Sequence, residues 1–433
     1  MKDLNAIAAS ALEALKAAGA DTAAVTATYA ETQEFNVDGG EFSLFRTLFD
    51  NSLSLTGYQA GKKGSAGINQ FDEASIIAAA EGCMASAQAA EPDEAWKIAP
   101  FAGEHSFADG ATEPDLELLF SRCRELMDDI SRDHPSILME QMIVTHTKTS
   151  RVYANTNGTV FERLSGKYHV ELMFSAHEGD NSSSFFGSSL STDDLSRPFI
   201  DCGSIRRDLS DVEKQIFPVS VQGKFEGPVL FTPGCFMETL YYALASFTDG
   251  GSIFDGTSIW KDSLGETVAD SRLTVALAPR NEQVVCGERW TGDGYLSEDC
   301  EIIKDGKLQY FLLNEYFANK TGFARTPNTS LGNMVIPAGD KPLSEIISGI
   351  EKGLLVSRLS GGEPASSGDF SMVAKNSFLI ENGKIGPAVC EVMINGNLAE
   401  NLKNIRAMSV ETECDGSSVA PWCCFDGITI SGK

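Results

Sequence analysis

Histidine is scarce in this sequence and is absent from its second half. All five histidines lie between positions 105 and 177 of the 433 residues. Histidine is the commonest metal ligand and the usual general base in nucleophilic catalysis. A metal site or a serine-type active site in the second half would therefore need a histidine from the first. The sequence also lacks His-Glu-x-x-His and Gly-x-Ser-x-Gly, which are the signatures of zincins and of α/β-hydrolases.

Basic residues are also few. Lys and Arg total 34 against 61 Asp and Glu, which gives a formal net charge of −27. Such a chain repels a phosphate backbone unless it carries a local basic stripe, and its basic residues form only short pairs such as Lys62-Lys63 and Arg206-Arg207. We therefore expect no direct binding of nucleic acid. With 42% hydrophobic and 22% charged residues, the chain is neither disordered nor fibrous.

Long apolar runs and paired cysteines are missing as well. No run of 18 apolar residues occurs, and Asp3 and Glu13 interrupt the apolar N-terminal stretch, so we expect neither a membrane helix nor a signal peptide. The ten cysteines contain no Cys-x-x-Cys pair, which fits neither a zinc ribbon nor a secreted disulfide framework. The sequence therefore predicts a cytoplasmic protein that makes no contact with a membrane.

Hydrophobic periodicity predicts an α+β fold with two domains, divided near residue 215. The N-terminal domain, residues 1–215, is predicted to set long helices on a β-sheet. Apolar residues at helical spacing place these helices at 2–18, 73–90 and 114–133. Asp50-Asn51 and the Gly-rich residues 61–67 are predicted turns, and the Ser-, Gly- and Asp-rich residues 179–204 are a predicted long loop.

The C-terminal domain, residues 216–433, is predicted to be β-rich and mainly antiparallel. A short apolar strand is followed by Thr232-Pro233, which predicts a helix running to about Phe247. Asp305-Gly306 and Asn382-Gly383 each stand between two apolar runs and predict hairpin turns.

The residues by themselves point to no catalytic set. His169 and His177 are an even number of residues apart and would share a face of a continuous strand, but a zinc site needs at least three protein ligands and no third is in view. Pairs of acidic residues such as Asp128-Asp129 are common in so acidic a chain and are typical of solvated surfaces. The sequence alone thus gives a two-domain protein without a visible active site.

Four segments of the second domain nevertheless form a recognisable pattern. They are Gly-Asn-Met-Val-Ile-Pro-Ala-Gly-Asp at 332–340, Phe-Leu-Ile-Glu-Asn-Gly-Lys-Ile at 378–385, Ile-Asn-Gly-Asn-Leu at 394–398 and Gly-Ile-Thr-Ile-Ser-Gly at 427–432. These segments resemble the TldD/PmbA family, whose members are called modulators of DNA gyrase and are classed with the metallopeptidases. The resemblance spans nearly the whole chain and is most specific from residue 225 onward.

The resemblance implies a metalloprotease built from two kinds of subunit. TldD-type chains carry His-Glu-x-x-x-His on a helix of the second domain, and a downstream Cys completes their zinc site. PmbA-type chains, also called TldE, lack this motif and pair with a TldD-type chain. In the family, the complex degrades unfolded peptides and is linked to microcin maturation and antitoxin turnover.

Residues 229–258 resemble the family's motif region and align with it without a gap. In that register Tyr241 stands at the first His, Tyr242 at the Glu and Ser246 at the second His. Cys414 lies near the place of the third ligand, as a relic or a coincidence, because one thiolate cannot hold zinc alone. The resemblance therefore implies a chain with no catalytic residue and no metal site, in which the two tyrosines serve packing or an interface.

We thus expect a metal-free PmbA/TldE-like subunit that pairs with a TldD-type metallopeptidase chain. Zinc is expected only in that partner, and the pair would enclose an unfolded peptide. A homodimer and residual peptidase activity stay open, so whether the chain is itself an enzyme is undecided. Two alternatives remain: a self-sufficient peptidase of the same family, and a regulator that binds DNA gyrase as a protein.

Overall fold

The computed structural model describes residues 3–433. Three long helices lie where periodicity predicts them, although residue 2, the predicted start of the first, is outside the described residues. The helices are α1 (Leu4–Ala17), α2 (Glu73–Ala89), α3 (Leu116–Asp133), α4 (Ile205–Glu213), α5 (Pro233–Phe247), α6 (Gly250–Phe254), α7 (Glu315–Thr321), α8 (Leu343–Ser348) and α9 (Leu398–Lys403). Asp72 and Asp115 cap α2 and α3 by accepting hydrogen bonds from backbone N–H groups, which satisfies donors that the first helical turn leaves free.

The first sheet contains eight strands in the order β3-β2-β1-β5-β6-β4, with β7 and β8 also paired to β6. Its strands are β1 (Thr22–Asp38), β2 (Glu41–Gln59), β3 (Lys62–Ile68), β4 (Glu104–Gly110), β5 (Ile137–Asn155), β6 (Val160–Glu178), β7 (Asn181–Ser182) and β8 (Phe186–Thr192). Helices α1 and α2 pack against one half of this sheet, and α3 and α4 pack against the other.

The predicted turn at Asp50-Asn51 is wrong. Both residues lie inside β2, where they pair with Ala30 and Tyr29 of β1. The β1–β2 ladder runs without a break across this point, and such pairing overrides the turn preference of Asp and Asn.

The predicted turn over residues 61–67 is also wrong for all but its first residue. Only Gly61 lies in the turn, and β3 follows at once. Glycine is required at position 64 for another reason, because a Cβ there would lie 1.9 Å from the Cys83 carbonyl oxygen of α2. Gly64 thus allows the close approach of α2 to β3.

The predicted loop over 179–204 is wrong in part, because it contains β7 and β8. Strand β8 pairs with β6 from Phe186 to Thr192. Its Ser188 is buried and donates a hydrogen bond to Asp208 at 3.0 Å. A serine-rich segment can form a buried strand when a partner satisfies its hydroxyl groups.

The second sheet contains twelve strands. Ten of them follow the order β13-β12-β11-β14-β20-β10-β15-β16-β17-β9, and the other two, β18 and β19, both pair with β20. Its strands are β9 (Val219–Ser220), β10 (Lys224–Phe231), β11 (Val275–Leu277), β12 (Cys300–Lys304), β13 (Lys307–Leu308), β14 (Met334–Val335), β15 (Lys352–Ser360), β16 (Asp369–Glu381), β17 (Lys384–Cys390), β18 (Val392–Asn397), β19 (Ile405–Cys414) and β20 (Val419–Ser431). Most pairs are antiparallel, and both predicted hairpin turns are present. The predicted α+β class is confirmed.

Helix α5 begins as predicted. Thr232 is its N-cap residue and Pro233 its first residue, a position where the missing N–H of proline has no cost. Phe236, Leu240 and Leu244 are fully buried and pack into the main core of the second sheet. This packing fixes which face of α5 is turned away from the core.

The two sheets are joined by packed and charged contacts. Trp290, in the loop between β11 and β12 of the second sheet, packs against Tyr153 and Phe161 of the first sheet. In the same loop, Arg289 forms an ion pair with Asp109 of β4. The division at residue 215 stays a prediction. Among residues 3–433, no helix is long and apolar enough to cross a membrane.

Candidate functional site

Helix α5 carries the three positions that the family register aligns with the zinc motif. Tyr241 is 47% exposed, and its ring meets that of Tyr242 edge-on with centroids 6.2 Å apart. Ser246 is half-buried. The roles assigned to these three positions stay predictions.

Cys414 ends strand β19 and is engaged by backbone groups. Its Sγ donates to the Gln283 carbonyl at 3.4 Å and accepts from the Gly416 N–H at 3.3 Å. Burial raises the pKa of the Cys414 thiol, against a lowering by the Gly416 N–H, and a raised pKa opposes the loss of the proton that zinc binding requires. Within residues 3–433 no three His, Cys, Asp or Glu side chains are placed to hold a metal ion. The described side chains do not fit a zinc ion here.

A cavity of about 310 Å³ lies between the two sheets, where the two predicted domains meet; we call it the interdomain cavity. Strand β8 and helix α4 line it from one side. Strands β15, β19 and β20 and the N-terminal turns of helix α5 line it from the other. Its charged and hydroxyl-bearing lining residues are Ser188, Ser189, Ser204, Arg207, Asp208, Thr232, Glu238, Ser357, Arg358, Glu413, Asp415 and Ser418. Cys414 also lines the cavity, whereas Tyr241, Tyr242 and Ser246 do not.

Arg207, Asp208 and Glu413 form an ion-pair group in the wall of this cavity. The Arg207 Nη2 lies 3.0 Å from the Asp208 Oδ1, and the Arg207 Nη1 pairs with Glu413. The Asp208 Oδ2 accepts hydrogen bonds from Ser204 Oγ at 2.6 Å and Ser188 Oγ at 3.0 Å. Because α4, which packs on the first sheet, carries Arg207 and β19 of the second sheet carries Glu413, the group links the two sheets.

Burial controls the ionisation of this group. It raises the pKa of Asp208, although Arg207 acts in the opposite direction. It raises the pKa of Glu413 as well, again against Arg207. For Arg207 itself burial lowers the pKa, but the two carboxylates outweigh it and the net shift is upward. One guanidinium therefore stabilises the charge of the Asp208 and Glu413 carboxyl groups.

Glu238 and Arg358 add charge on the α5 side of the cavity. Burial raises the pKa of Glu238, and Arg358 partly offsets this. The Arg358 Nη1 donates to the Phe185 carbonyl at 3.3 Å, and the Ser357 Oγ is buried without a partner among the described residues. The cavity thus presents separate donors and acceptors, which suit hydrogen bonds to a polar ligand.

His177 does not complete a nucleophilic site. His169 and His177 lie on the same strand β6, as predicted, but about 27 Å of strand separates them. The His177 Nε2 is 2.8 Å from the Ser175 Oγ, and that hydroxyl donates to Glu140. In a triad the acid contacts the histidine and not the serine, so this arrangement does not activate Ser175.

The charged residues of the interdomain cavity were not singled out in the sequence. Arg207 stood only in a short basic pair, and Glu413 was one acid among many. They are close in space because β8, α4 and β19 meet. One feature of the sequence points to the ion-pair group, and it is slight. Asp208 lies next to Arg207 in an amphipathic helix and falls on its buried face.

Residues 223–432 match the family model described as the PmbA/TldA metallopeptidase C-terminal domain. The chain carries a PmbA/TldD-family domain. It is 26% identical over 409 residues to the metalloprotease PmbA of Escherichia coli, covering 90% of this chain and 85% of the relative. It is 24% identical over 403 residues to the metalloprotease PmbA homolog of Haemophilus influenzae, covering 89% and 86%. The resemblance read from the sequence is confirmed.

Two solved structures share the fold of this chain. TldE from Thermococcus kodakarensis has a TM-score of 0.84 at 20% identity, covering 97% of this chain and 99% of that one. A proposed modulator of DNA gyrase from Bacteroides thetaiotaomicron has a TM-score of 0.82 at 21% identity, covering all of both chains. At these identities the likeness establishes the fold alone.

Proposed function

We propose that this chain is the metal-free, PmbA/TldE-like subunit of a TldD/PmbA-type metalloprotease complex. A TldD-type partner holds the zinc and cleaves unfolded peptides, and this chain completes the complex. The observation that carries the proposal is the set of side chains at the motif positions. Tyr241, Tyr242 and Ser246 offer two phenols and an alcohol where zinc needs imidazole nitrogens and a carboxylate base.

The interdomain cavity supports a role in holding peptide. It lies beside the N-terminal turns of α5 and carries both donors, such as Arg358, and acceptors, such as Glu238. An extended peptide is held through backbone hydrogen bonds and needs no reactive side chain. A subunit that shapes the peptide site can therefore lack a catalytic set.

The outer half of strand β2 supports pairing with another chain. Strand β3 pairs with β2 only over residues 53–59, so within the described part of the chain no strand covers the outer edge of residues 41–50; we call this segment the open edge. All its residues are exposed, with Phe45 at 56% and Phe49 at 61%. An apolar strand with an unpaired edge is a template for strand pairing between chains.

Charge favours a different chain over a second copy at the open edge. If the segment paired with itself antiparallel about its centre, Glu41 would face Asp50, and like charges directly opposite each other destabilise a strand pair. Two copies would also bring together two chains of net charge −27. We therefore assign the open edge to the TldD-type partner.

Co-expression with a TldD-type chain tests the proposal. The expected result is a stable heterodimer by light scattering, with zinc in the complex and hydrolysis of a reduced, unfolded peptide faster than with either chain alone. A TldD-type chain that is fully active by itself, or a partner that never binds this chain, would overturn the proposal. If this chain forms a homodimer alone and no heterodimer when mixed with the TldD-type chain, the open edge would be assigned to a second copy of this chain.

The same preparation separates the two alternatives. A self-sufficient peptidase would hydrolyse the peptide without a partner, and metal analysis with and without chelator would show whether that activity needs a metal. A gyrase regulator would be retained by purified DNA gyrase in the absence of any TldD-type chain. We expect neither result.

A further inference from the structure

A second cavity, of about 270 Å³, also lies between the domains. Its walls include Arg151 and Arg163 from the first sheet and Glu288, Arg289 and Trp290 from a loop of the second domain; we call it the arginine pocket. None of these residues lines the interdomain cavity. The pocket is therefore a separate place at which the domains could hold a ligand.

Arg151 and Arg163 stand directly opposite each other on strands β5 and β6. Directly opposite residues share a face of the sheet and have Cβ atoms about 4.5–5.5 Å apart. The like charges of such a pair repel each other, and arginine does not lose its proton to relieve the repulsion. A like-charged pair at a domain interface thus requires a compensating negative group.

The protein supplies only part of that compensation. The Arg163 Nε donates to Asp109 at 2.8 Å, and Arg289 donates to the same carboxylate at 3.0 Å. The Arg163 Nη2 and the Trp290 Nε1 are buried without a partner among residues 3–433. In the same part of the chain Arg151 makes no hydrogen bond or ion pair, and its Cζ lies 5.3 Å from the Trp290 ring centroid.

All three unsatisfied groups are donors, and the balance of charge is positive. Three arginines line the pocket against Glu288, and Asp109 lies behind them. This gives a net charge of about +1 when both carboxyl groups are ionised, in a chain whose net charge is −27. Burial raises the pKa of Glu288, which makes the pocket more positive when that group binds a proton.

We propose that the arginine pocket binds a carboxylate group of a peptide. A carboxylate offers two oxygens that can accept from the half-buried Arg151, in the forked geometry that guanidinium groups prefer. Its single negative charge matches the charge of the pocket, whereas a phosphate dianion would exceed it. That the carboxylate belongs to a peptide rests on the proposed function; the preference for a monoanion does not.

Titration calorimetry of the full chain, without a partner, tests this proposal. The probes are acetyl-trialanine with a free C-terminal carboxylate, its C-terminal amide, and inorganic phosphate. We expect the free acid to bind at least about tenfold more tightly than the amide, as for one charge-assisted hydrogen bond. We expect phosphate to bind more weakly than the acid.

Arg151→Met should weaken binding of the free acid about tenfold and leave binding of the amide unchanged. Arg132→Met is the matched control, since it removes the same charge from an exposed position on α3, and should bind as the wild type does. Without ligand, the circular dichroism spectrum of Arg151→Met should match that of the wild type, because the guanidinium that it removes makes no hydrogen bond among residues 3–433.

Several results would overturn the proposal. They are equal binding of acid and amide, no binding of either, unchanged binding in Arg151→Met, and tighter binding of phosphate than of the acid. Because the titration uses the chain alone, a failure to form the heterodimer would leave these results unaffected. The two proposals can therefore fail separately.

Discussion

Arg207 illustrates how one side chain can determine the ionisation of its surroundings. It pairs with Asp208, which is 5% exposed, and with Glu413, which is 19% exposed. Removing one member of a buried ion-pair group leaves uncompensated charge in a medium of low dielectric constant. Arg207 is therefore a structural link between the two sheets as well as part of the wall of the interdomain cavity.

We predict that Arg207→Met lowers the free energy of unfolding by about 3–5 kcal/mol. Urea unfolding followed by circular dichroism measures the change. Arg132→Met is the control, because its ion pairs are exposed and such pairs contribute about 0–1 kcal/mol. Equal losses in the two variants would mean that the Arg207 group is not effectively buried.

The effect of Arg207→Met should also depend on pH. Burial raises the pKa of Asp208 and of Glu413. A carboxyl group whose pKa is raised by folding contributes stability below its unfolded pKa and loses it as pH rises through the folded value. Without Arg207 both pKa values rise further, so the loss of stability should be smaller near about pH 5 than near about pH 8. A loss that does not change with pH would contradict this.

At the scale of secondary structure, the contact of α2 with β3 depends on a glycine. A Cβ at Gly64 would lie 1.9 Å from the Cys83 carbonyl oxygen and 2.7 Å from the Ala87 nitrogen. Both atoms belong to the backbone of α2 and cannot rotate away. The helix would have to move to accommodate even one methyl group.

We predict that Gly64→Ala lowers the free energy of unfolding by about 1–3 kcal/mol, the usual cost of overpacking. Gly67→Ala is the control on the same strand, since no heavy atom lies within 4 Å of its added Cβ, and it should change stability by less than about 0.5 kcal/mol. Thermal unfolding of the two variants measures the difference. If they behave alike, α2 does not pack on β3 as closely as described.

The open edge of β2 leads to a prediction about partner binding. Phe49→Asp places a charge on an apolar strand edge, a device that blocks pairing between edges, and should weaken heterodimer formation at least about tenfold. Phe101→Asp makes the same change at another exposed phenylalanine, which is 67% exposed, and should not affect pairing. Sedimentation of mixtures over a concentration series measures both. Equal affinity of the two variants would exclude the open edge as the pairing surface.

At the scale of the whole molecule, the net charge of −27 opposes the compact state through self-repulsion. Raising NaCl from about 0.01 M to about 0.1 M shortens the Debye length from about 30 Å to about 10 Å. We predict a gain of about 1 kcal/mol in the free energy of unfolding. Urea unfolding at the two salt concentrations measures it, with KCl as the control for specific ion effects. A loss of stability on adding salt would show that attractive pairs such as Arg289–Asp109 dominate.

Much of the fold was predictable where the signal is local. The caps at Asp72 and Asp115 and the Pro233 start of α5 are properties of a few consecutive residues, and those helices lie where predicted. Strand continuity through Asp50-Asn51 was not predictable, because it depends on pairing with β1. The cavity residues were missed for the same reason, since Arg207 and Glu413 are 206 residues apart in the chain.

The sequence by itself determined the α+β class, the family resemblance and the absence of histidine after position 177. These follow from periodicity, from short motifs and from counting, none of which needs the fold. Only the tertiary structure decided that residues 62–68 form a strand, that Arg207 joins the carboxyl groups of Asp208 and Glu413, and that Arg151 faces Arg163. Each of these depends on contacts between distant segments, and such contacts exist only once the chain has folded.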